Sequence, residues 1–394
     1  MQLKRVEIIK YRNFENVVID FEKSKFPNVF SIASKNGGGK STLLQFIFIM
    51  LHCFMDERRK KYIVNIIKGL IPTNINGLPL ITKDLEFVKF IIEEKGKEYY
   101  LDFTIDLMEN YSFSFNTDMK SEQLKKLSNS IYLTVPDAQP LHFLSEKDDK
   151  EEMKKNLANF FNHNFFSAKK AFDTAIEEDN KLMRSTGEYG SNYINFKNEL
   201  KDFIEGKEIG ENKEGTKIIF KLKGSEKELL SEDLSHGELR KLGIYIWLKS
   251  MVQKDAIILM DEVDIALHPS WQYELVNDLT QWSKGSQFLL ATHSPQILSS
   301  TYYKNLIILK DNKVKQLSKP LRDNDINHIV ELVMGASPLP LELDKNHKLY
   351  RALVEDGKES SKEAQEIKDM ILEQEGIGSS FFRRIEFYKK MNKK

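Results

Sequence analysis

Three consecutive glycines, followed by a lysine and two hydroxyl residues, constrain this chain more than any other stretch of its sequence. The segment SKNGGGKST spans residues 34–42, after the apolar run VFSIA and before a stretch with apolar residues at helical spacing. A strand, a glycine-rich loop and a helix in this order can hold a polyphosphate, because the loop N–H groups and the helix dipole face the anion. The sequence therefore predicts a phosphate-binding loop, with a plain glycine-rich turn as the alternative.

The residues of this loop fit the pattern G-x-x-x-x-G-K-[ST] at every defined position except the first. The pattern assigns Lys40 to the terminal phosphates and Ser41 to Mg²⁺. Ser34 stands at the first glycine position, where we expect a backbone geometry that glycine would reach more easily. The predicted nucleotide-binding residues of the loop are Asn36, Gly37, Gly38, Gly39, Lys40, Ser41 and Thr42.

Composition narrows the class of protein without naming a partner. The 394 residues are 41% hydrophobic, which is enough for a sizeable core. Lys plus Arg and Asp plus Glu both number 59, so net charge supports nucleic-acid binding only through a local patch. The single cysteine, Cys53, is typical of a reducing compartment, and the apolar run 43–55 is too short to span a bilayer. We therefore expect a cytoplasmic protein without a membrane partner.

Two acids directly follow a short apolar run, residues 257–260, in the second half of the chain. Asp261 is placed to bind Mg²⁺, and Glu262 to orient and deprotonate a water molecule. Solvated acids at a strand end are the alternative. His293 ends the next predicted strand, where its imidazole can contact a γ-phosphate, although a lone histidine is more often structural. The predicted catalytic residues are Lys40, Glu262 and His293.

The segment LSHGE, residues 234–238, precedes a predicted helix and has two compatible interpretations. Ser235 and Glu238, three positions apart, form a capping box for that helix. A capped helix start with an exposed serine and glycine also binds phosphate well, through its N–H groups and its dipole. We therefore predict that Ser235, Gly237 and Glu238 contact a nucleotide.

Taken in order, the segments SKNGGGKST, LSHGE, IILMDE and ATHSPQIL resemble four motifs of the ABC-type ATPases of the SMC, RecF and OLD kind. These motifs are Walker A, the signature, Walker B and the switch histidine, and the resemblance covers residues 1–318. The opening KRVEIIKYRNFENVVIDF is similar to the family's first strand pair and implies that Arg12 lies near the phosphates. The resemblance implies a glutamine loop, for which Gln139 is the candidate metal ligand and an ordinary polar loop residue the alternative. VDIALHP implies that Asp264 and His268 lie at a dimer seam.

In this family two protomers stack head to tail, and each ATP lies between one protomer's Walker A and the other's signature helix. The resemblance therefore implies ATP and Mg²⁺ as ligands, ATP hydrolysis as the reaction, and a homodimer or higher homo-oligomer. Glu238, where transporter cassettes usually carry Gln, disfavours a transporter, and the stretch between the two halves is too short for SMC arms. The chain resembles compact anti-phage ATPases of the Septu and OLD-like types.

These features predict an α/β fold, namely a P-loop ABC-ATPase head with a mixed sheet core and an antiparallel β subdomain. Alternating residues between 86 and 115, with a turn at Lys95 and Gly96, predict the antiparallel sheet. The predicted divisions are 1–144 for the N-terminal lobe with Walker A, 145–215 for a helical insertion, 216–318 for the C-terminal lobe, and 319–394 for a helical tail.

The sequence shows no second catalytic constellation, so we expect a separate nuclease effector that the ATPase regulates in anti-phage defence. The end of the tail places Phe381, Phe382, Ile385 and Tyr388 beside basic residues, as a partner-docking stripe or as a face packed on the chain itself.

Two other functions stay open. One is a DNA-repair ATPase of the RecF or SMC kind, for which RRKK at 58–61 is a candidate patch and a solvated helix face the alternative. The other is an ATP-locked sensor or scaffold with little turnover.

Overall fold

The computed structural model describes residues 1–22, 25–68, 85–106, 112–136, 141–144, 161, 177, 179–188, 190, 194–195, 198–200, 203–212, 218–225, 227–229, 233–311, 313–317, 319–320, 326–376 and 378–391. The chain divides into two units, Met1–Asn324 and Asp325–Lys394.

The elements of the first unit are mostly strands. The strands are β1 (Gln2–Tyr11), β2 (Phe14–Asp20), β3 (Val29–Ser34), β4 (Leu85–Glu94), β5 (Lys97–Asp106), β6 (Ser112–Thr117), β7 (Ile131–Thr134), β8 (Lys207–Glu211), β9 (Ile218–Leu222), β10 (Glu228–Leu229), β11 (Ile257–Asp261), β12 (Gln287–Ala291), β13 (Leu306–Lys310) and β14 (Lys313–Gln316). The helices are α1 (Lys40–Cys53), α2 (Lys60–Lys68), α3 (Ser121–Asn129), α4 (His236–Ser250), α5 (Pro269–Trp282) and α6 (Pro295–Ser300).

A six-stranded sheet with the order β14-β13-β3-β12-β11-β7 organises this unit. Its strands pair in parallel, except for the antiparallel hairpin of β13 and β14. Parallel strands covered on both faces are nearly continuously apolar, and every residue of β11 is buried. The carboxyl ends of β3, β11 and β12 therefore open at one edge, which is where ligands bind in open α/β sheets.

The alternation of side chains along β11 decides where its terminal acid points. Ile257 and Leu259 belong to the core that includes α1. Ile258 and Met260 belong to a second core, on the side of α5. Because side chains two positions apart in a strand share a face, Asp261 lies on the α1 side of the sheet.

An antiparallel sheet with the order β2-β1-β4-β5-β6 shares its core with α1 and the parallel sheet. The hairpin of β4 and β5 turns at Lys95 (φ 52°) and Gly96 (φ 80°), and a two-residue turn of this hand matches the twist of the strands. The predicted sheet and turn are confirmed. Helix α1 is buried on nearly all sides because this core surrounds it.

Most of the predicted helical insertion, 145–215, lies outside the described residues. The helical prediction is wrong for residues 207–211 of this range, because they form β8, the edge strand of a small sheet with the order β10-β9-β8. This sheet shares a core with α4 that includes Ile209, Phe220 and Leu242.

The second unit is helical, with α7 (Ile326–Leu332), α8 (Leu341–Glu355), α9 (Lys362–Glu375) and α10 (Ser380–Met391). Tyr350, Ile371, Phe381 and Ile385 are buried in its own core. The predicted docking stripe is therefore wrong for Phe381 and Ile385, because both pack against α8 and α9 inside the unit.

The predicted α/β fold class, with a mixed sheet core, an antiparallel β subdomain and C-terminal helices, is confirmed. The finer divisions at residues 144, 215 and 318 stay predictions. Within the described parts of the chain, no helix has both the length and the apolar character to cross a bilayer.

Candidate nucleotide site

The loop between β3 and α1 has a shape that requires its glycines. Gly39, the residue before α1, has a left-handed backbone (φ 91°), and a Cβ there would lie 2.8 Å from Cζ of Phe14. A Cβ on Gly38 would lie 2.6 Å from Oγ of Ser34. No side chain caps the first turn of α1, and that turn contains no acid. The N–H groups of the helix start are thus left for a ligand.

Ser34, the departure from the glycine pattern, is accommodated without a special backbone geometry. It is the last residue of β3 and pairs with Leu309 of β13, so the expectation of a glycine-like conformation is wrong. Its Oγ donates to the carbonyl oxygen of Lys35 (2.8 Å) and accepts from Nζ of Lys40 (3.2 Å). The serine therefore helps to hold the loop lysine.

Lys40 and His293 meet at the edge of the parallel sheet. Nζ of Lys40 lies 2.6 Å from Nε2 of His293, and the lysine is buried. Burial lowers the pKa of Lys40, and burial followed by the Lys40 charge lowers that of His293. A neutral imidazole accepting from the ammonium group explains this contact. The side chains of Lys40 and His293 thus meet beside the glycine loop, where a terminal phosphate is expected.

Ser41 and Asp261 are joined directly across the same edge. Oγ of Ser41 donates to Oδ1 of Asp261 over 3.0 Å. The other oxygen, Oδ2, is buried and has no hydrogen-bond partner among the described residues. Burial raises the pKa of Asp261 to about 6. A hydroxyl and a carboxylate with an unsatisfied oxygen are the hard oxygen ligands that Mg²⁺ takes, so these residues fit the cation.

A cavity of about 800 Å³ lies beside Lys40, Ser41 and His293. It is lined by Arg12, Asn13, Phe14, Asn36, Gly37, Gly38, Gly39, Lys40, Ser41, Thr42, His142, Glu262 and His293. The predicted loop residues, Arg12, Glu262 and His293 therefore share one pocket.

Arg12 occupies the turn between β1 and β2 in a left-handed conformation (φ 48°). Its Nη1 lies 3.1 Å from Nδ1 of His142, and its Nη2 donates to the His142 carbonyl over 3.3 Å. Burial, followed by the Arg12 charge, lowers the pKa of His142.

Sequence reasoning missed three residues of the pocket. Asn13 and Phe14 could have been found as neighbours of Arg12, and His142 by its position three residues after Gln139. Gln139 itself lies outside the described residues, so its predicted role as metal ligand stays a prediction.

Glu262 has a left-handed backbone (φ 47°), which turns the chain directly after β11. In the loop that follows, Oδ1 of Asp264 accepts from Oγ1 of Thr292 over 2.5 Å. Nδ1 of His268 accepts from the N–H of Ser270 (3.3 Å) and so caps α5. This loop is thus connected to the segment that carries His293. The predicted place of Asp264 and His268 at a dimer seam stays a prediction.

The LSHGE segment forms the predicted capping box at the start of α4. Oγ of Ser235 accepts from the N–H of Glu238 (3.3 Å), and Oε2 of Glu238 accepts from the N–H of Ser235 (2.7 Å). Ser235 is exposed, but Gly237 is buried, and a Cβ there would lie 2.5 Å from the Ala266 carbonyl oxygen. The expectation of an exposed glycine is therefore wrong. Ser235, Gly237 and Glu238 do not line the cavity of their own chain.

The sheet topology, the glycine loop and the paired serine and aspartate define a P-loop ATPase fold. The chain belongs to the family described as "AAA domain, putative AbiEii toxin, Type IV TA system", which matches residues 35–299. The prediction of a P-loop ATPase domain is thus confirmed.

Several curated proteins are similar to this chain in sequence. The chain is 33% identical over 114 residues to "Retron Ec83 probable ATPase" of Escherichia coli, covering 28% of this chain and 21% of that protein. It is 33% identical over 165 residues to "Retron Vc95 probable ATPase" of Vibrio cholerae serotype O1 biovar El Tor, covering 40% and 32%. It is 21% identical over 417 aligned positions to "Septu protein PtuA" of Bacillus mycoides (strain KBAB4), covering 98% and 53%. The chain thus spans about half or less of the length of these relatives.

Among solved structures, the SMC head domain from Thermotoga maritima is similar, with a TM-score of 0.46 and 16% identity. The similarity covers 81% of this chain and 100% of that one.

Proposed function

We propose that this chain binds and hydrolyses ATP in a composite site between two copies, and that it thereby regulates an effector in bacterial anti-phage defence. The observation that carries the proposal is the buried Oδ2 of Asp261, which has no hydrogen-bond partner among the described residues. The other oxygen, Oδ1, lies 3.0 Å from Oγ of Ser41, directly after the glycine loop. A buried carboxylate with one oxygen left unsatisfied costs free energy, and a bound cation removes that cost.

In the proposed site the open start of α1 holds the phosphates. Its N–H groups and those of the loop contact the phosphate oxygens, and Lys40 turns from His293 to the terminal phosphates. Arg12 reaches the same cavity from the turn between β1 and β2. Phosphate oxygens and His142 then compete for the guanidinium group.

Ser41 and Asp261 would hold Mg²⁺, which when bound neutralises charge on the β- and γ-phosphates. Glu262 lines the cavity and takes the proton of the attacking water. Once Lys40 has turned to the phosphates, His293 takes the tautomer with its proton on Nε2 and donates from there to the γ-phosphate region. The last contribution comes from Ser235 and the start of α4 of a second copy, because these groups lie outside the cavity of their own chain.

The biological assignment rests on the names of the relatives, which are retron and Septu proteins. Two of these names contain the word ATPase. We propose that the chain works in the cytoplasm with a separate nuclease. A DNA-repair role has less support, because two of the four basic residues at 58–61 pair with acids, Arg59 with Asp56 (3.5 Å) and Lys60 with Glu57.

The second unit is the proposed docking site for the nuclease. Phe387 is 65% exposed and Tyr388 37%, beside the core-facing Phe381 and Ile385. Replacing Phe387 with Ser removes an exposed anchor without emptying the core. We expect a nuclease co-expressed from the native locus to co-purify with the parent chain and not with Phe387→Ser. Equal recovery with both chains would contradict docking at this surface.

The central test compares two substitutions at the cavity. Glu262→Gln should lower steady-state ATP turnover by about 10²–10⁴ while retaining ATP binding, because it removes the base and keeps the shape. With ATP it should accumulate as a dimer in light scattering. Lys40→Ala is the matched control, since it removes phosphate binding and should give neither a dimer nor turnover.

Three outcomes would change the assignment. Parental turnover in Glu262→Gln would show that Glu262 is not the base. Full protection against phage by Glu262→Gln would favour an ATP-locked sensor or scaffold. Duplex DNA binding that strengthens with ATP and weakens steeply with salt would favour the DNA-repair alternative.

A further inference from the structure

A lysine outside the ATPase motifs holds the acid of the LSHGE segment. Lys207, the first residue of β8, donates from Nζ to both carboxylate oxygens of Glu238, at 2.7 and 2.6 Å. Both side chains are largely buried, with exposed fractions of 16% and 13%. A charge-assisted contact to both oxygens fixes the carboxylate in position as well as neutralising it.

The held carboxylate in turn fixes the start of α4. Oε2 of Glu238 accepts from the N–H of Ser235 over 2.7 Å, and Oγ of Ser235 accepts from the N–H of Glu238. Burial alone raises the pKa of Glu238, but the hydrogen bonds from Lys207 and Ser235 keep that pKa below its ordinary value. Glu238 therefore stays ionised. Among the described residues, Lys207 is the one cation that forms an ion pair with it and compensates its charge.

Three further contacts join the stretch before β8 to the same helix. Glu199 accepts from Oη of Tyr245, and its Oε2 lies 3.1 Å from Nζ of Lys249. The ring of Phe203 packs 4.9 Å, centroid to centroid, from that of Tyr245. Glu199, Phe203 and Lys207 thus contact α4 at successive positions towards its first turn. The contacts of Glu199 and Phe203 hold the stretch before Lys207 against α4.

We propose that Lys207 is a positioning residue for the signature segment, which acts through Glu238 to prepare the start of α4 for the ATP bound by a second copy. This inference rests on the head-to-tail dimer proposed above. Without Lys207, Glu238 would present an uncompensated negative charge at the helix start that must approach the triphosphate. The carboxylate would also lose the contact that orients it towards the N–H of Ser235.

The experiment uses the full chain carrying Glu262→Gln, so that dimers accumulate without turnover. Lys207→Met is added, and light scattering gives the ATP concentration that produces half of the maximal dimer. Loss of a charge-assisted contact should raise this concentration about tenfold. The affinity of the monomer for a fluorescent ATP analogue should stay unchanged, because Lys207 does not line the cavity.

The matched control is Lys126→Met, which removes a lysine paired with Glu94 at the same 2.6 Å distance, outside the cavity. It should leave the ATP requirement unchanged. Lys207→Arg should restore dimer formation, and Lys207→Gln, which keeps a donor without charge, should be intermediate. Adding Glu238→Gln to Lys207→Met should recover part of the loss, since it removes the uncompensated charge. A purely structural role predicts no such recovery.

The outcomes separate the two proposals. If Lys207→Met and Lys207→Gln both form dimers at the parental ATP concentration, Lys207 does not position the segment, although the dimer stands. If Glu238→Gln deepens the defect of Lys207→Met, the charge argument is overturned. If the chain with Glu262→Gln alone forms no dimer with ATP, the proposed function fails and this inference with it.

Discussion

Two helices of the first unit begin close to acidic residues, and they treat their first turns in opposite ways. Helix α1 follows Gly39, has no side-chain cap and carries no acid in its first turn. Helix α4 has the reciprocal cap of Ser235 and Glu238, and its acid is held by Lys207. The first helix start is left open for a ligand, whereas the second has a capping side chain from its own chain.

The acids beside the two helices differ in the same sense. Asp261, across from the start of α1, keeps a buried oxygen without a hydrogen-bond partner among the described residues, and burial raises its pKa to about 6. Glu238 has partners on both oxygens, and its pKa is lowered despite its burial. The buried oxygen of Asp261 is thus left for a ligand at the start of α1, where binding would satisfy it. The start of α4 can contribute to binding by its exposed serine, by the N–H groups outside the capping box and by its field.

The largest expected difference is in ATP affinity, when alanine replaces either Gly39 before α1 or Gly237 at the start of α4. Gly39→Ala forces an alanine into φ 91° and 2.8 Å from the Phe14 ring, so we expect the affinity for ATP to fall about 100-fold. Gly237→Ala meets the Ala266 carbonyl oxygen at 2.5 Å. It should shift α4 and weaken the ATP-dependent dimer, while ATP binding by the separated chain stays within about twofold. Equilibrium binding of a fluorescent ATP analogue and light scattering measure the two effects.

Gly378→Ala is the control for this pair, because a Cβ there meets nothing within 4 Å. It should change neither measurement. Comparable loss of ATP affinity in Gly39→Ala and Gly237→Ala would contradict the division of labour between the two helices.

A smaller effect is expected for the stability of the chain when Asp261 is replaced with Asn. Because burial raises the pKa of Asp261 from its ordinary 3.8 to about 6 in the folded chain, its ionisation destabilises the folded chain fully above about pH 6. That cost falls as the pH drops from 6 towards 3.8, and it is small near pH 4, where the folded chain is protonated and the unfolded chain is partly so. In the absence of nucleotide, Asp261→Asn should therefore raise the free energy of unfolding at pH 8 by roughly 2–4 kcal/mol. Urea unfolding at pH 8, 6 and 4 should show the gain shrinking as the pH falls.

The same variant should lose Mg²⁺-dependent ATP binding, so that stability and function move in opposite directions. Asp311→Asn, at an exposed turn with φ 51°, is a control in which stability should change little at any of the three pH values. A loss of stability in Asp261→Asn at pH 8, or a gain that is independent of pH, would show that the Asp261 charge is not destabilising.

The sequence by itself determined the local elements around the site. The glycines, the lysine and the flanking apolar periodicity define the strand, loop and helix of residues 29–53, because each depends on neighbours within a few positions. The turn at Lys95 and Gly96 and the capping box at Ser235 are local in the same way. The order of the four motifs was sufficient to predict a P-loop ATPase, and the chain belongs to a family of AAA domains.

Only the tertiary structure decided which distant side chains meet. The pairing of Lys40 with His293 crosses 253 positions and that of Arg12 with His142 crosses 130, distances over which no sequence periodicity reports a contact. The burial of Gly237 under Ala266 and of Phe381 in the second unit likewise depends on how separate elements pack. Lys207 lies in a short strand without any motif, and only the packing of that strand against α4 brings its charge to Glu238. Such contacts are decided by packing and desolvation of the whole unit, which a single sequence does not display.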